Sequence, residues 1–194
     1  MSNNGTQPSW GYLFEKLLQE EAIIQARLER NGTKTYQLAE PSADYQIVLV
    51  GAPRQTILIH SELFEHNISF LKSQDGQKCR CDYVLVNTDT KEVWFIELTQ
   101  TREAKKSKKL KHQLKGGQGI FEYSCYLITN FIETDVTFNH SEWCYRYVVI
   151  YDKGAQRKAF GKSAELFLDK EETIPIGKIT SGGRPVSYRQ LQNT

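Results

Sequence analysis

The sequence predicts an α/β fold, a mixed central sheet flanked by helices, with additional strands in the N-terminal half and a C-terminal extension. Three observations carry this. Residues 82–86 and 93–98 are short apolar runs separated by a polar turn, as expected of central strands covered on both faces. An amphipathic stretch precedes them, with apolar residues at three- and four-residue spacing. A lysine-rich helical stretch follows, and after it comes a further apolar run, Trp143–Tyr151.

Taken in order, residues 1–8 read as a flexible polar lead-in. The spacing of Phe14, Leu17, Leu18, Ile24 and Leu28 predicts a helix over 9–30, closed by Asn31-Gly32. Strands follow near 33–38, 45–50 and 55–60, with Gly51-Ala52-Pro53-Arg54 as the turn between the last two. Ser61 caps a short helical turn to Asn67, a further short strand covers 68–71, and Ser73–Gln77 is a loop. The hairpin Asp82–Val86 and Val93–Leu98 turns at Asn87–Lys91. A helix runs from about Arg102 towards Gly116-Gly117 and on to about Asn130. Beyond Asp152 the pattern weakens into loops around short strands, including Ser181-Gly182-Gly183-Arg184-Pro185. The expected organisation is a core domain over 9–152 and an extension, 153–194, packed on it.

At 194 residues, 39% hydrophobic and 25% charged, the chain can bury a full core, which excludes global disorder. No run of about 18 apolar residues is present, so no membrane contact by a spanning helix is expected. Residues 1–8 have neither a basic nor an apolar region of a signal peptide. The expected setting is a reducing cytoplasm, with which Cys79, Cys81, Cys125 and Cys144 are compatible.

The charge is unevenly placed. Between Thr99 and Gln118 stand Arg102, Lys105, Lys106, Lys108, Lys109, Lys111 and Lys115 against the single acid Glu103. Such a block attracts a polyanion through counterion release, or simply forms a solvated helix face.

The chemistry centres on the hairpin. A symmetric turn pairs Val86 with Val93, and the same register sets Asp82 opposite Glu97. Directly opposed residues share a face, with Cβ atoms about 4.5–5.5 Å apart. Two carboxylates so close in an apolar hairpin repel each other and are costly to desolvate. A divalent cation with hard oxygen ligands, Mg²⁺ or Mn²⁺, resolves this; the alternative is that both acids sit at sheet ends and meet solvent or helix N-termini. Glu21 falls on the apolar stripe of the first predicted helix, so it is either a candidate third acid or a stripe-edge residue reaching solvent. A metal beside a basic helix suits phosphodiester hydrolysis, since the cation lowers the pKa of bound water and neutralises phosphoryl charge.

Asp82, followed fourteen residues on by Ile96-Glu97-Leu98, resembles the core of the PD-(D/E)XK nuclease superfamily, the restriction-endonuclease-like fold. The order of helix, strands, Asp82/Glu97 hairpin, helix and the 143–151 strand is similar to that family's αβββαβ core. Arg80-Cys81-Asp82-Tyr83-Val84-Leu85-Val86 and Phe95-Ile96-Glu97-Leu98 look like small bacterial members. The resemblance covers roughly residues 10–151. It implies a metal-dependent nuclease acting on nucleic acid, DNA on family grounds, as a homodimer or with a partner protein, in restriction, antiphage defence, mobile elements or repair. It implies Asp82 and Glu97 as metal ligands and Gln113 as the glutamine of the next helix, while the basic block itself offers Lys105, Lys106, Lys108, Lys109 and Lys115 as contacts to the nucleic-acid backbone. The family's lysine, two residues after the glutamate, is here Thr99. Lysines relocated to the following helix occur in the superfamily, which makes Lys111 a candidate for that role alongside Lys106, Lys109 and Lys115. The alternative is a catalytically silent member that binds nucleic acid or a partner protein through the basic helix.

Other motifs point elsewhere or nowhere. Cys79-x-Cys81 lacks a second close pair for zinc and reads as inert thiols. His60, His66, His112 and His140 are scattered, in structural or surface roles. Gly116-Gly117-Gln118-Gly119 lacks the lysine-hydroxyl ending of a phosphate loop and is expected to break the helix or let it approach the sheet closely.

Overall fold

The computed structural model describes residues 8–40, 45–68, 79–100, 108–132, 135–151, 165–167, 176–181 and 183–194. It is a mixed α/β structure built on two mixed sheets. Helix α1, Trp10–Leu17, is capped by Ser9, whose Oγ accepts the Tyr12 amide. It is much shorter than the helix over 9–30 that its apolar spacing predicts. Leu18 is extended, Glu20–Ala22 forms a 3-10 turn, and β1 (Ile23–Ile24) and β2 (Arg27–Leu28) follow. The β-branched pair Ile23-Ile24 finds partners across β5 (Thr56–His60), at Ile59 and Leu58, and tertiary pairing overrides the helical period.

Strands β3 (Lys34–Glu40) and β4 (Tyr45–Ala52) form a hairpin, β5 follows, and Ser61–Ile68 is a 3-10 helix. The strand expected at 68–71 and the loop Ser73–Gln77 lie, apart from Ile68, outside the described residues. Strands β6 (Tyr83–Asn87) and β7 (Glu92–Thr99) lead to α2, Lys108–Phe131, one continuous helix. After it come β8 (Cys144–Tyr151), β9 (Glu165–Phe167), β10 (Ile176–Thr180), β11 (Val186–Ser187) and α3 (Tyr188–Gln192).

The seven-stranded sheet has the order β1-β5-β6-β7-β8-β10-β9, and the four-stranded sheet the order β11-β4-β3-β2. β5, β6 and β7 are antiparallel neighbours; β7, β8 and β10 run parallel, with α2 in the connection between β7 and β8.

Strand alternation divides the interior into two cores. Val84, Val86, Val93, Phe95, Tyr147 and Val149 face α1 and α2, where Trp10, Phe14, Leu114 and Phe121 cover them. Leu85, Trp94, Ile96, Leu98, Val148 and Ile150 face the second sheet and meet Tyr36, Leu38, Ile47 and Leu49. The central strands are therefore apolar on both sides because both sides are covered. The end of the chain is bound into the second core. Trp94 donates its indole N–H to the Leu191 carbonyl at 3.2 Å, and Asn87 donates to the Tyr188 hydroxyl at 3.0 Å.

Candidate functional site

The hairpin adopts the register that symmetry predicts: Val86 faces Val93, Leu85 faces Trp94 and Tyr83 faces Ile96. Asp82 stands one residue before this ladder, and continuing the register sets it opposite Glu97. By alternation both fall on the helix side of the sheet, with Val84 and Phe95. Both are buried, Asp82 at 4% and Glu97 at 7% exposure.

Each carboxylate is held by a specific donor. Asp82 Oδ2 accepts the backbone amide of Leu98 at 2.6 Å, tying the entry of β6 to the end of β7. Glu97 Oε1 accepts from Gln113 Nε2, also at 2.6 Å. Gln113 lies in the first half of α2, which reaches the sheet because two glycines stand where it crosses the chain entering β6. A Cβ on Gly116 would lie 1.7 Å from the Cys79 carbonyl oxygen, and one on Gly117 would lie 2.2 Å from Cys81 Sγ. The glycines bring α2 close without breaking it.

The buried Cys81 thiol senses both acids. Burial pushes its pKa well above the usual value, the Ser61 hydrogen bond opposes this, and the negative charges of Glu97 and Asp82 add to the rise. The thiol is packed beneath α2, where burial favours its neutral form. Cys125 is likewise buried and raised by desolvation, then by Glu122. Cys79 is half-buried and Cys144 exposed, and all four are free thiols.

The remaining predicted residues divide. Glu21 is exposed on the 3-10 turn after α1. The apolar stripe that would have buried it does not exist, because the helix ends at Leu17. Among the described residues no group of three or more His, Cys, Asp or Glu side chains could hold a metal, so Glu21 does not complete a three-acid set with Asp82 and Glu97. Lys108, Lys109 and Lys115 are exposed on α2, and Lys111 is half-buried. Lys115 Nζ lies 5.9 Å from the centroid of the Tyr147 ring on β8. Lys111 is one turn nearer the helix start on the same face. Lys105 and Lys106 lie outside the described residues, as do Arg102 and Glu103. Thr99 is the last residue of β7 and is half-buried.

His60 stacks on Tyr83 with ring centroids 5.2 Å apart and has Glu62 within 3.5 Å. His140 Nε2 is 3.1 Å from Glu122 Oε1. His112 is half-buried on α2, and the His66 side chain lies outside the described residues.

Two features are not anticipated by the residues alone. One is a polar chain between α2 and β8: Tyr147 donates to Gln118 Oε1 at 2.6 Å, and Gln118 donates to Glu122 Oε1 at 2.8 Å. Its sequence signal is the pair Gln118/Glu122, four apart on a helix. The other is Lys178 on β10, whose Nζ lies 5.5 Å from the centroid of the Tyr151 ring. Its signal is the alternation in Ile176-Gly177-Lys178-Ile179-Thr180.

Two adjacent carboxylates are the hard-oxygen set from which Mg²⁺ or Mn²⁺ is commonly held, the rest of its shell being water and phosphate. Asp82 and Glu97 carry such oxygens, both buried and on one face of the sheet by strand alternation. Among the described residues no helix is long and apolar enough to cross a membrane. Compared with protein-family models, curated proteins and solved structures, the chain has no match.

Proposed function

We propose that the protein is a divalent-metal-dependent nuclease of restriction-endonuclease-like architecture, hydrolysing phosphodiester bonds in nucleic acid, with DNA as the substrate to test first. The observation that carries this reading is the hairpin register, which sets Asp82 opposite Glu97 in a buried sheet while Gln113 binds Glu97 from the adjoining helix. A bound Mg²⁺ or Mn²⁺ would supply Lewis acidity and a more acidic bound water. The protein's own residues do the rest. Asp82 and Glu97 hold the ion, Gln113 fixes the orientation of Glu97, and the exposed lysines of α2 hold the sugar-phosphate backbone without reading its sequence. In the reaction a water oxygen bonds to phosphorus and gives up a proton. The bond from phosphorus to the leaving oxygen breaks, and that oxygen takes a proton to become a hydroxyl.

Incubation of the purified chain with plasmid and single-stranded DNA, with and without Mg²⁺ or Mn²⁺, tests this. Metal-dependent cleavage that disappears in Asp82→Ala and Glu97→Ala is the expected result. Cleavage surviving both substitutions, or none in any metal, overturns the reading.

A second reading follows from two specific observations. Thr99 stands where the family that the sequence resembles has its lysine, and Asp82 already serves β7 by accepting the Leu98 amide. On this reading the protein is a silent binding module that uses the basic helix. Its signature is nucleic-acid affinity that falls steeply with salt, unaltered by Glu97→Ala and reduced by replacing Lys108, Lys109 and Lys115.

A further inference from the structure

A phosphodiester at the Asp82/Glu97 pair needs positive charge against its non-bridging oxygens as negative charge builds there. We propose that Lys178, two strands away from Glu97, supplies that charge by contacting a phosphate oxygen of the substrate. The inference rests on the nuclease reading of the acid pair.

Strand register puts the lysine in line with the acid. Glu97 on β7 is paired with Val149 on β8, and Val149 is paired with Lys178 on β10. The three residues form one row across parallel strands. The face is also shared. Gly177 is buried and Ile179 belongs to the core between the sheets, while Ile176 packs with the helix-side core. Alternation therefore turns Lys178 to the helix side, where Val149 and Phe95 lie. Strands about 4.8 Å apart put the backbones of Glu97 and Lys178 roughly 10 Å from each other.

The lysine also has a neighbour on the intervening strand. Its Nζ lies 5.5 Å from the centroid of the Tyr151 ring, and Tyr151 is the register partner of Thr99. The ammonium thus lies beside a side chain of the neighbouring strand that stands level with Thr99 at the end of β7. Lys111 and Lys115 approach the same face from α2, with Lys115 over Tyr147. They lie on the helix that also carries the exposed Lys108 and Lys109. What singles out Lys178 is its place in the same register row as Glu97, on a strand of the sheet that carries the acid pair.

Single-turnover cleavage of DNA under saturating protein, with DNA affinity measured alongside, tests the assignment in the full-length chain. Lys178→Met should cut about a hundredfold or more slowly while binding DNA and melting as the wild type does. Lys178→Arg, which restores the charge, should recover most of the rate. Wild-type cleavage by Lys178→Met, with the loss falling on Lys111→Met instead, overturns the assignment of Lys178 and leaves the nuclease reading standing. A parallel loss of rate and DNA affinity also overturns it, since Lys178 would then be a binding residue. If Lys178→Met does not fold, Lys178→Gln and Lys178→Arg carry the comparison. Absence of metal-dependent cleavage by the wild type defeats the underlying reading before any variant is compared.

Discussion

Asp82 has two tasks that a substitution can separate. Its Oδ2 accepts the Leu98 amide at 2.6 Å in a buried setting, so the carboxylate holds the hairpin as well as facing Glu97. A hydrogen bond to a charged group contributes about 1.5–3 kcal/mol. Asp82→Ala should lower the denaturation free energy by an amount of that order, whereas Asp82→Asn, which keeps an oxygen for Leu98, should cost less. Both should lose Mn²⁺ binding, measured by calorimetry; Asn binding Mn²⁺ as tightly as Asp would argue against Asp82 as a ligand. Gln113→Ala frees Glu97 from its amide donor, and loss of such a supporting contact typically weakens metal affinity by about 10–100-fold. The opposition of Asp82 and Glu97 was legible once the turn is taken as symmetric, since strand side chains alternate with a two-residue period. The Leu98 bond was not legible, since nothing in the sequence says whether a strand-end carboxylate turns to solvent or to the neighbouring backbone.

At the scale of elements, the glycines of α2 make contrasting predictions. Alanine is preferred over glycine inside a helix by about 1 kcal/mol. A Cβ added at Gly119 would meet nothing within 4 Å, so Gly119→Ala should stabilise the protein by up to about that amount. At Gly116 and Gly117 the added methyl would meet the Cys79 carbonyl at 1.7 Å and the Cys81 sulfur at 2.2 Å. Overpacking of this kind costs about 1–3 kcal/mol and outweighs propensity, so both alanines should destabilise, Gly116→Ala more because backbone cannot rotate away. Urea midpoints read the order directly; a stabilised Gly116→Ala would mean that α2 does not sit this close to β6. That the paired glycines serve close approach could be anticipated from their place in a continuing apolar pattern. The true length of α1 could not. Ile24 and Leu28 keep a helical spacing, but Ile24 pairs with Leu58 on β5 and Leu28 with Lys34 on β3, contacts of long or intermediate range that no local pattern contains.

The molecule as a whole is two apolar cores sharing one sheet, and several tyrosines sit at their edges with the hydroxyl buried. The central strands announced this double burial by being apolar on both faces, while the second sheet's partners and the return of α3 to Trp94 depend on contacts across the whole chain. Burial raises the pKa of Tyr36, Tyr147 and Tyr188 to about 12. The Thr56 hydroxyl moderates the rise at Tyr36, the Glu122 charge adds to it at Tyr147, and Asn87 moderates it at Tyr188. An unfolded tyrosine ionises near 10. Between that value and about 12 the unfolded chain therefore binds fewer protons than the folded one, and stability falls as pH rises. The contribution of these phenols is fully present below pH 10 or so and is lost through the folded-state value. Lys34 works in the opposite sense: burial lowers its pKa, so the folded state sheds that proton first and gains stability as pH rises towards the ordinary lysine value. These three phenols, joined by Tyr145, whose pKa burial also raises, outweigh one partly buried amine, so the net expectation is alkaline unfolding. Phenolate absorbance should rise in two steps, the exposed tyrosines first and the buried ones together with loss of helical circular dichroism. Tyr36→Phe removes one of these phenols, at the cost of the hydrogen bond to the Thr56 carbonyl at 2.7 Å. It should be less stable near neutrality by about 1 kcal/mol and lose stability less steeply above pH 10. A single phenolate step completed while the dichroism is still native would show that these hydroxyls are open to water.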